Sequence, residues 1–261
     1  MQSCRWIPAC SDIFAEESIM RVLAISNSFG VDATRYLHQI ARSAGVKLNV
    51  ATLFIGGCPL ELHCRNMIGD RAAYDLYFNG FSTGFQTSLS EALLSSRWDV
   101  ITIQQASHFS TQPDTFTPYA EELYDYVKTC QPQAKVLIHQ TWAYEDGSAK
   151  LESVGYESAK AMFADIEKTY RKCHETLGTD GIIPSGKLLM TLLDRGIEKV
   201  HRDTYHATFG FGRYALGLLW FRMLTGKSVA DIAYKDFDEE VPEKQMRIAK
   251  EVVDSFEPLF S

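Results

Sequence analysis

The strongest constraint in this sequence is an alternation of two residue patterns. Short runs rich in β-branched and other apolar residues occur at Val22–Ile25, Lys47–Ile55, Val100–Ile103, Lys135–Thr141 and Gly181–Ile183. Between them apolar residues recur at helical spacing over Ala33–Ala44, Leu89–Arg97, Tyr119–Thr129 and Tyr156–Leu177. Further helical stretches follow at Gly186–Asp194, Phe209–Leu224 and Glu243–Phe256. Runs apolar throughout belong in a sheet covered on both faces. Strand and helix in repetition imply parallel pairing, and right-handed crossovers then place helices on both sides. The expected fold class is α/β, a three-layer α/β/α sandwich around a five-stranded parallel sheet. One domain over residues 20–261 is expected, because no internal repeat, low-complexity tract or linker divides the chain. The stretch Gly56–Gln86 breaks the alternation and is read as a long irregular rim or lid.

Residues 1–19 lack the continuous apolar core of a secretory signal and carry Asp12, Glu16 and Glu17. They are read as a disordered extension before a start at Met20, and cytoplasmic localisation is expected. No apolar run is long enough for a membrane span. The net charge of −7, with no basic stripe, argues against nucleic acid as a partner. None of the six cysteines forms a C-x-x-C pair or a zinc spacing, so reduced thiols and no metal site are expected.

In doubly wound sheets ligands sit beyond the C-terminal ends of the strands. The residues there are Ser26-Asn27-Ser28, Gly56-Gly57, the run Gln104-Gln105-Ala106-Ser107-His108, and Trp142-Ala143-Tyr144. They are small, polar and aromatic, as a catalytic rim should be. For Ser26-Asn27-Ser28 two readings stand: a helix cap, or a nucleophile. A serine becomes a nucleophile only with a base beside it and an acid orienting that base. Among the seven histidines His206 stands out, with a carboxylate three residues before it on a loop entering a helix. Asp203 at that spacing either caps a turn or folds back onto the imidazole Nδ1 and fixes its tautomer. A serine at the sheet edge favours the second reading.

These blocks resemble the SGNH hydrolases, or GDSL esterase/lipase superfamily, which carry Gly-Asp-Ser after the first strand and D-x-x-H near the C-terminus. Here the blocks read Ser26-Asn27-Ser28 and Asp203-Thr204-Tyr205-His206, and the likeness runs from Met20 to about Leu224. It is nearest to a branch with N-S-F in the first block and Q-Q-x-S-H in the third. The resemblance implies Ser28 as nucleophile, His206 as general base and Asp203 as its orienter. It implies an oxyanion hole from the Ser28 N–H, a glycine N–H and a third-block side chain. Gly57 fits the second position, with Gly56 beside it. The third position departs from the family, which has asparagine there; Gln105 is assigned, with Ser107 or His108 as substitutes.

The reaction so implied is acyl transfer through an acyl-enzyme, with no cofactor. Asn27, Phe29, Ser107, His108, Trp142 and Tyr144 are expected to touch substrate, with Phe109 and Phe85 also candidates for the rim. Phe85 is more readily placed in the core. The expected partner is a small-molecule or carbohydrate ester with a small acyl group such as acetyl, not a membrane. Three alternatives remain open at this point. An α/β-hydrolase elbow would place its serine after several strands, not the first. A flavodoxin-like or Rossmann-like module would bind phosphate at the first turn, yet no G-x-G-x-x-G occurs. A catalytically altered SGNH relative would only bind glycans.

Overall fold

The computed structural model describes residues 19–260. The extension read at residues 1–19 therefore lies, apart from Ile19, outside the described residues. Seven strands form one sheet in the order β4-β3-β2-β1-β5-β6-β7. They are β1 (Met20–Ser26), β2 (Leu48–Phe54), β3 (Tyr74–Phe78), β4 (Phe81–Thr87), β5 (Val100–Ile103), β6 (Lys135–His139) and β7 (Gly181–Ile183). The five strands expected from the sequence are all parallel to one another, and Val22 to Ile25 at the centre are fully buried.

Seven strands, not five, make the sheet, because the segment read as an irregular rim is largely regular. It holds a helix and then the antiparallel hairpin β3–β4 on the outer edge of β2. Asn79 and Gly80 turn this hairpin with φ of 51° and 87°. Two successive positive φ angles are what a type I′ turn requires, and asparagine and glycine adopt them at least cost. The hairpin hides from an apolar-run reading because β4 is mostly solvent-facing. Phe85 on it is 72% exposed, so it belongs neither to the core nor to the rim.

The helices are α1 (Ser28–Thr34), α2 (Leu37–Ser43), α3 (Leu60–Ile68), α4 (Leu89–Leu94), α5 (Tyr119–Cys130), α6 (Ala149–Glu152), α7 (Ala159–Leu177), α8 (Ser185–Asp194), α9 (Phe211–Thr225) and α10 (Glu243–Asp254). The single helix expected over Ala33–Ala44 is two, beginning earlier. Thr34 donates its hydroxyl back to the Gly30 carbonyl, and the second piece begins after Tyr36, which stands at its N-cap position without a side-chain capping bond. Such back-bonding competes with the helical ladder. Helix α9 is buried on nearly every side and packs with α1, α2, α8 and α10. A helix apolar all round belongs inside a molecule. Helices α3, α4 and α5 pack together, and α5 continues onto α7. No helix among the described residues is long and apolar enough to cross a membrane.

Candidate active site

The turn from β1 into α1 divides the roles of its three polar residues. Ser26 is buried and donates to the Leu53 carbonyl. Its side chain occupies the space a Cβ on Gly30 would need, only 2.2 Å from the Oγ, so glycine is required there for close packing. Asn27 is the cap: its Oδ1 accepts from the Phe29 N–H at 3.1 Å, satisfying a free donor of the first helical turn. Ser28 is thus relieved of capping and stands half-buried at the C-terminal edge of the sheet.

Opposite it lies the loop between α8 and α9. The imidazole Nδ1–H of His206 donates to Asp203 Oδ2 at 2.8 Å, and its backbone N–H donates to Oδ1 at 2.9 Å. An ionised carboxylate only accepts, so this contact fixes the tautomer and leaves Nε2 as an acceptor. Ser28 Oγ lies 2.8 Å from that Nε2. Burial pushes the Asp203 carboxyl up, but the His206 hydrogen bonds outweigh it and hold the group below its ordinary range. Thr204, inside the turn, has φ of 74°, a left-handed conformation that β-branched residues seldom adopt. The turn is held there from outside, since the Thr204 carbonyl accepts from the Glu145 N–H.

A second strut comes from Asp32, one helical turn beyond Ser28 and 1% exposed. Its carboxylate accepts from Arg202 at 2.9 Å, from Arg213 at 2.8 Å and from the Ala207 N–H at 3.1 Å. Arg202 and Ala207 flank the Asp203–His206 turn, so Asp32 ties the loop of His206 to the helix of Ser28.

Beneath the serine runs a buried polar chain. Gln104 Nε2 donates to Asn27 Oδ1 at 2.7 Å, and Gln104 Oε1 accepts from His139 Nδ1 at 2.7 Å. His139 Nε2 then accepts from the Ser185 hydroxyl at 3.0 Å. Burial pushes the His139 imidazole down to about 3, so it stays neutral and acts as a connector rather than a base. Asn27 Nδ2 donates to the Cys58 carbonyl at 3.1 Å, which ties the Gly56–Gly57 loop to the start of α1. Gly57 has φ of 61°, with open space where a Cβ would stand. Backbone conformation, not crowding, favours glycine at that position.

Ser28 and His206 open onto a cavity of about 430 Å³, within the range of small-molecule sites. Of the residues expected to meet substrate, Asn27, Phe29, Ser107, His108 and Tyr144 line it, as do Gly56 and Gly57. Two assignments need correction. Gln105 is fully buried and does not line the cavity; its Nε2 donates to the Thr115 carbonyl and its Oε1 accepts from the Leu60 and Ala106 N–H groups. Its two amide hydrogens are taken by the Thr115 carbonyl and hydroxyl, which leaves no free donor for Ser28. Trp142 is 1% exposed and lies behind the lining, stacked on Phe29 at 4.0 Å with its Nε1–H on the Tyr205 carbonyl. Phe109 packs on His108 outside the lining.

A family model described as Domain of unknown function (DUF4886) matches residues 21–255. The chain belongs to the DUF4886 family. Its fold is shared by a DUF4886 family protein from Bacteroides uniformis, with a TM-score of 0.84 and 28% identity over 91% of this chain and 94% of that one. A candidate GDSL-like lipase from Parabacteroides merdae superposes with a TM-score of 0.53 at 15% identity, over 80% of this chain and 96% of that one. A candidate platelet activating factor from Streptococcus pneumonia gives 0.52 at 12% identity, over 79% and 84%. Among curated proteins the sequence has no match. The DUF4886 chain thus has the fold of the GDSL-like, SGNH-type proteins.

In this DUF4886 chain the cavity also uses residues that the sequence did not single out: Phe54, Lys150 and Tyr205. The Tyr205 ring lies 4.0 Å from that of His206, centroid to centroid, and Phe29 flanks the imidazole at 5.8 Å. His206 is thereby confined between two aromatic rings with its Nε2 directed at Ser28. Tyr205 is adjacent to the expected base, and that adjacency was the available signal.

Proposed function

We propose that this DUF4886 protein is a serine esterase that removes a small acyl group from a carbohydrate or a similarly polar alcohol. One observation carries the reading: the chain of 2.8 Å contacts from Ser28 through His206 to Asp203, at the mouth of a cavity. His206 Nε2 takes the Ser28 proton as Oγ attacks the ester carbonyl, and Asp203 stabilises the imidazolium that forms. The N–H groups of Ser28 and Gly57 hold the developing oxyanion. With the Gln105 amide taken by Thr115, we assign the third donor to the Ser107 hydroxyl, which lies 2.9 Å from the Tyr144 hydroxyl on the same wall. His206 then protonates the departing alcohol, and water resolves the acyl-enzyme by the same route.

Lining chemistry supports a polar substrate. Aromatic faces from Phe29, Phe54, Tyr144 and Tyr205 alternate with hydroxyl, imidazole and ammonium groups, and no Leu, Ile, Val or Met lines the cavity. Aromatic faces suit the apolar side of a sugar ring, whereas a long acyl chain finds no aliphatic groove. Each methylene left in water forgoes the roughly 0.8 kcal/mol that burial would supply, so kcat/KM of the purified protein should not rise from p-nitrophenyl acetate to the octanoate. Hydrolysis of neither ester contradicts the esterase reading; preference for the octanoate contradicts the small acyl group.

A further inference from the structure

Lys150, on the short helix α6, is the one lysine or arginine lining the cavity, and no aspartate or glutamate lines it. The chain as a whole carries a net charge of −7. Among the described residues no carboxylate forms an ion pair with this ammonium, and Asp203 is held by His206. Lys150 rests instead on the Tyr144 and Tyr205 rings, with Nζ at 5.6 and 5.1 Å from their centroids. Those rings border Ser107 and His206, so the ammonium is held on the cavity wall beside them. Its charge reaches across the site, since the His108 imidazole is pushed down by burial first and by Lys150 second.

A cation held by rings gains less than one paired with a carboxylate in a partly dry cleft. The arrangement leaves a positive charge to be met by whatever enters. A phosphate dianion calls for a second cation or a fork of donors, and the lining offers neither; a single ammonium beside a tyrosine hydroxyl matches a monoanion. We propose that Lys150 forms an anion subsite and that the natural ester carries a carboxylate on its acyl or its alcohol portion. This rests on the esterase reading of Ser28 and narrows its substrate class.

Two matched pairs of esters test it: 4-acetoxybenzoate against 4-acetoxybenzamide for the alcohol side, and mono-p-nitrophenyl succinate against p-nitrophenyl butyrate for the acyl side. In one of the pairs, the ratio of kcat/KM for the anion to that for the neutral ester should be about tenfold higher in wild type than in Lys150→Met. Lys150→Glu should lower it further, and Lys150→Gln guards against a folding defect peculiar to one variant. Raising NaCl from about 0.05 to 0.5 M should erode the wild-type ratio and leave that of Lys150→Met unmoved, because added salt screens a partly open charge pair. Ratios equal in wild type and Lys150→Met for both pairs overturn the subsite while hydrolysis of the neutral esters leaves the esterase reading standing. Hydrolysis of none of the four overturns both.

Discussion

Ser28→Ala should reduce kcat for p-nitrophenyl acetate by about 10⁴-fold or more, because the remaining groups can bind and polarise the ester but cannot form an acyl-enzyme. Folding should hardly change. Ser28 is half-buried, it is not the helix cap, and the hydrogen bond of its hydroxyl is to His206. Losing that contact should shift the unfolding free energy by no more than about 1 kcal/mol. His206→Ala should cost a similar factor, and the double variant should be little worse than either single one, since serine and base act as a unit. Losses that multiply in the double variant would mean that the two residues act independently, contrary to the 2.8 Å contact between them.

The second large effect falls on stability and geometry together. Asp32→Ala would leave the Arg202 and Arg213 guanidinium groups, 21% and 12% exposed, facing each other without the carboxylate that now separates them. Breaking a buried charge pair by removing one partner costs about 3–5 kcal/mol. Arg213 keeps a second acid in Asp238, at 3.0 Å, so the loss should fall more heavily on the Arg202 side. That side carries the Asp203–His206 turn. Asp32→Ala should therefore lower the denaturant midpoint and, in protein still folded, lower kcat/KM for the acetate ester. Asp32→Asn separates the two causes: it keeps the volume and one acceptor but removes the charge, and it should recover only part of the loss. A change below about 1 kcal/mol in both variants would show that the strut carries little of the loop's position.

The five parallel strands, and the places of Ser28, Asp203 and His206 beside them, were legible because each rests on local pattern. Buried parallel strands announce themselves as apolar runs, Ser28 follows the first of them, and Asp203 precedes His206 by three residues. Where the Gln105 amide turns was not legible in the same way. Gln104 and Gln105 are adjacent just after β5, and the backbone sends one amide to Asn27 and His139 and the other to Leu60 and Thr115. Only the neighbours, distant in sequence, decide which is which. Lys150 was invisible for a related reason: it sits beyond the turn Asp146-Gly147-Ser148, and nothing local says that this loop folds over Ser28. The β3–β4 hairpin did leave a signal in Asn79-Gly80, but the exposed phenylalanines of its strands do not form the apolar run used to find the others. Asp32 left none, since an aspartate in a short helix looks solvent-facing until the two arginines that bury it are placed.

The central claim is that Ser28 is a nucleophile activated by His206. Intact-mass analysis after treatment with a fluorophosphonate addresses it directly, because such a reagent transfers its phosphonyl group to an activated serine hydroxyl and releases fluoride. The wild-type protein should gain one phosphonyl group, located on the peptide that contains Ser28, while Ser28→Ala should gain none and His206→Ala should react far more slowly. An unlabelled wild-type protein, or labelling that persists in Ser28→Ala, would contradict the account.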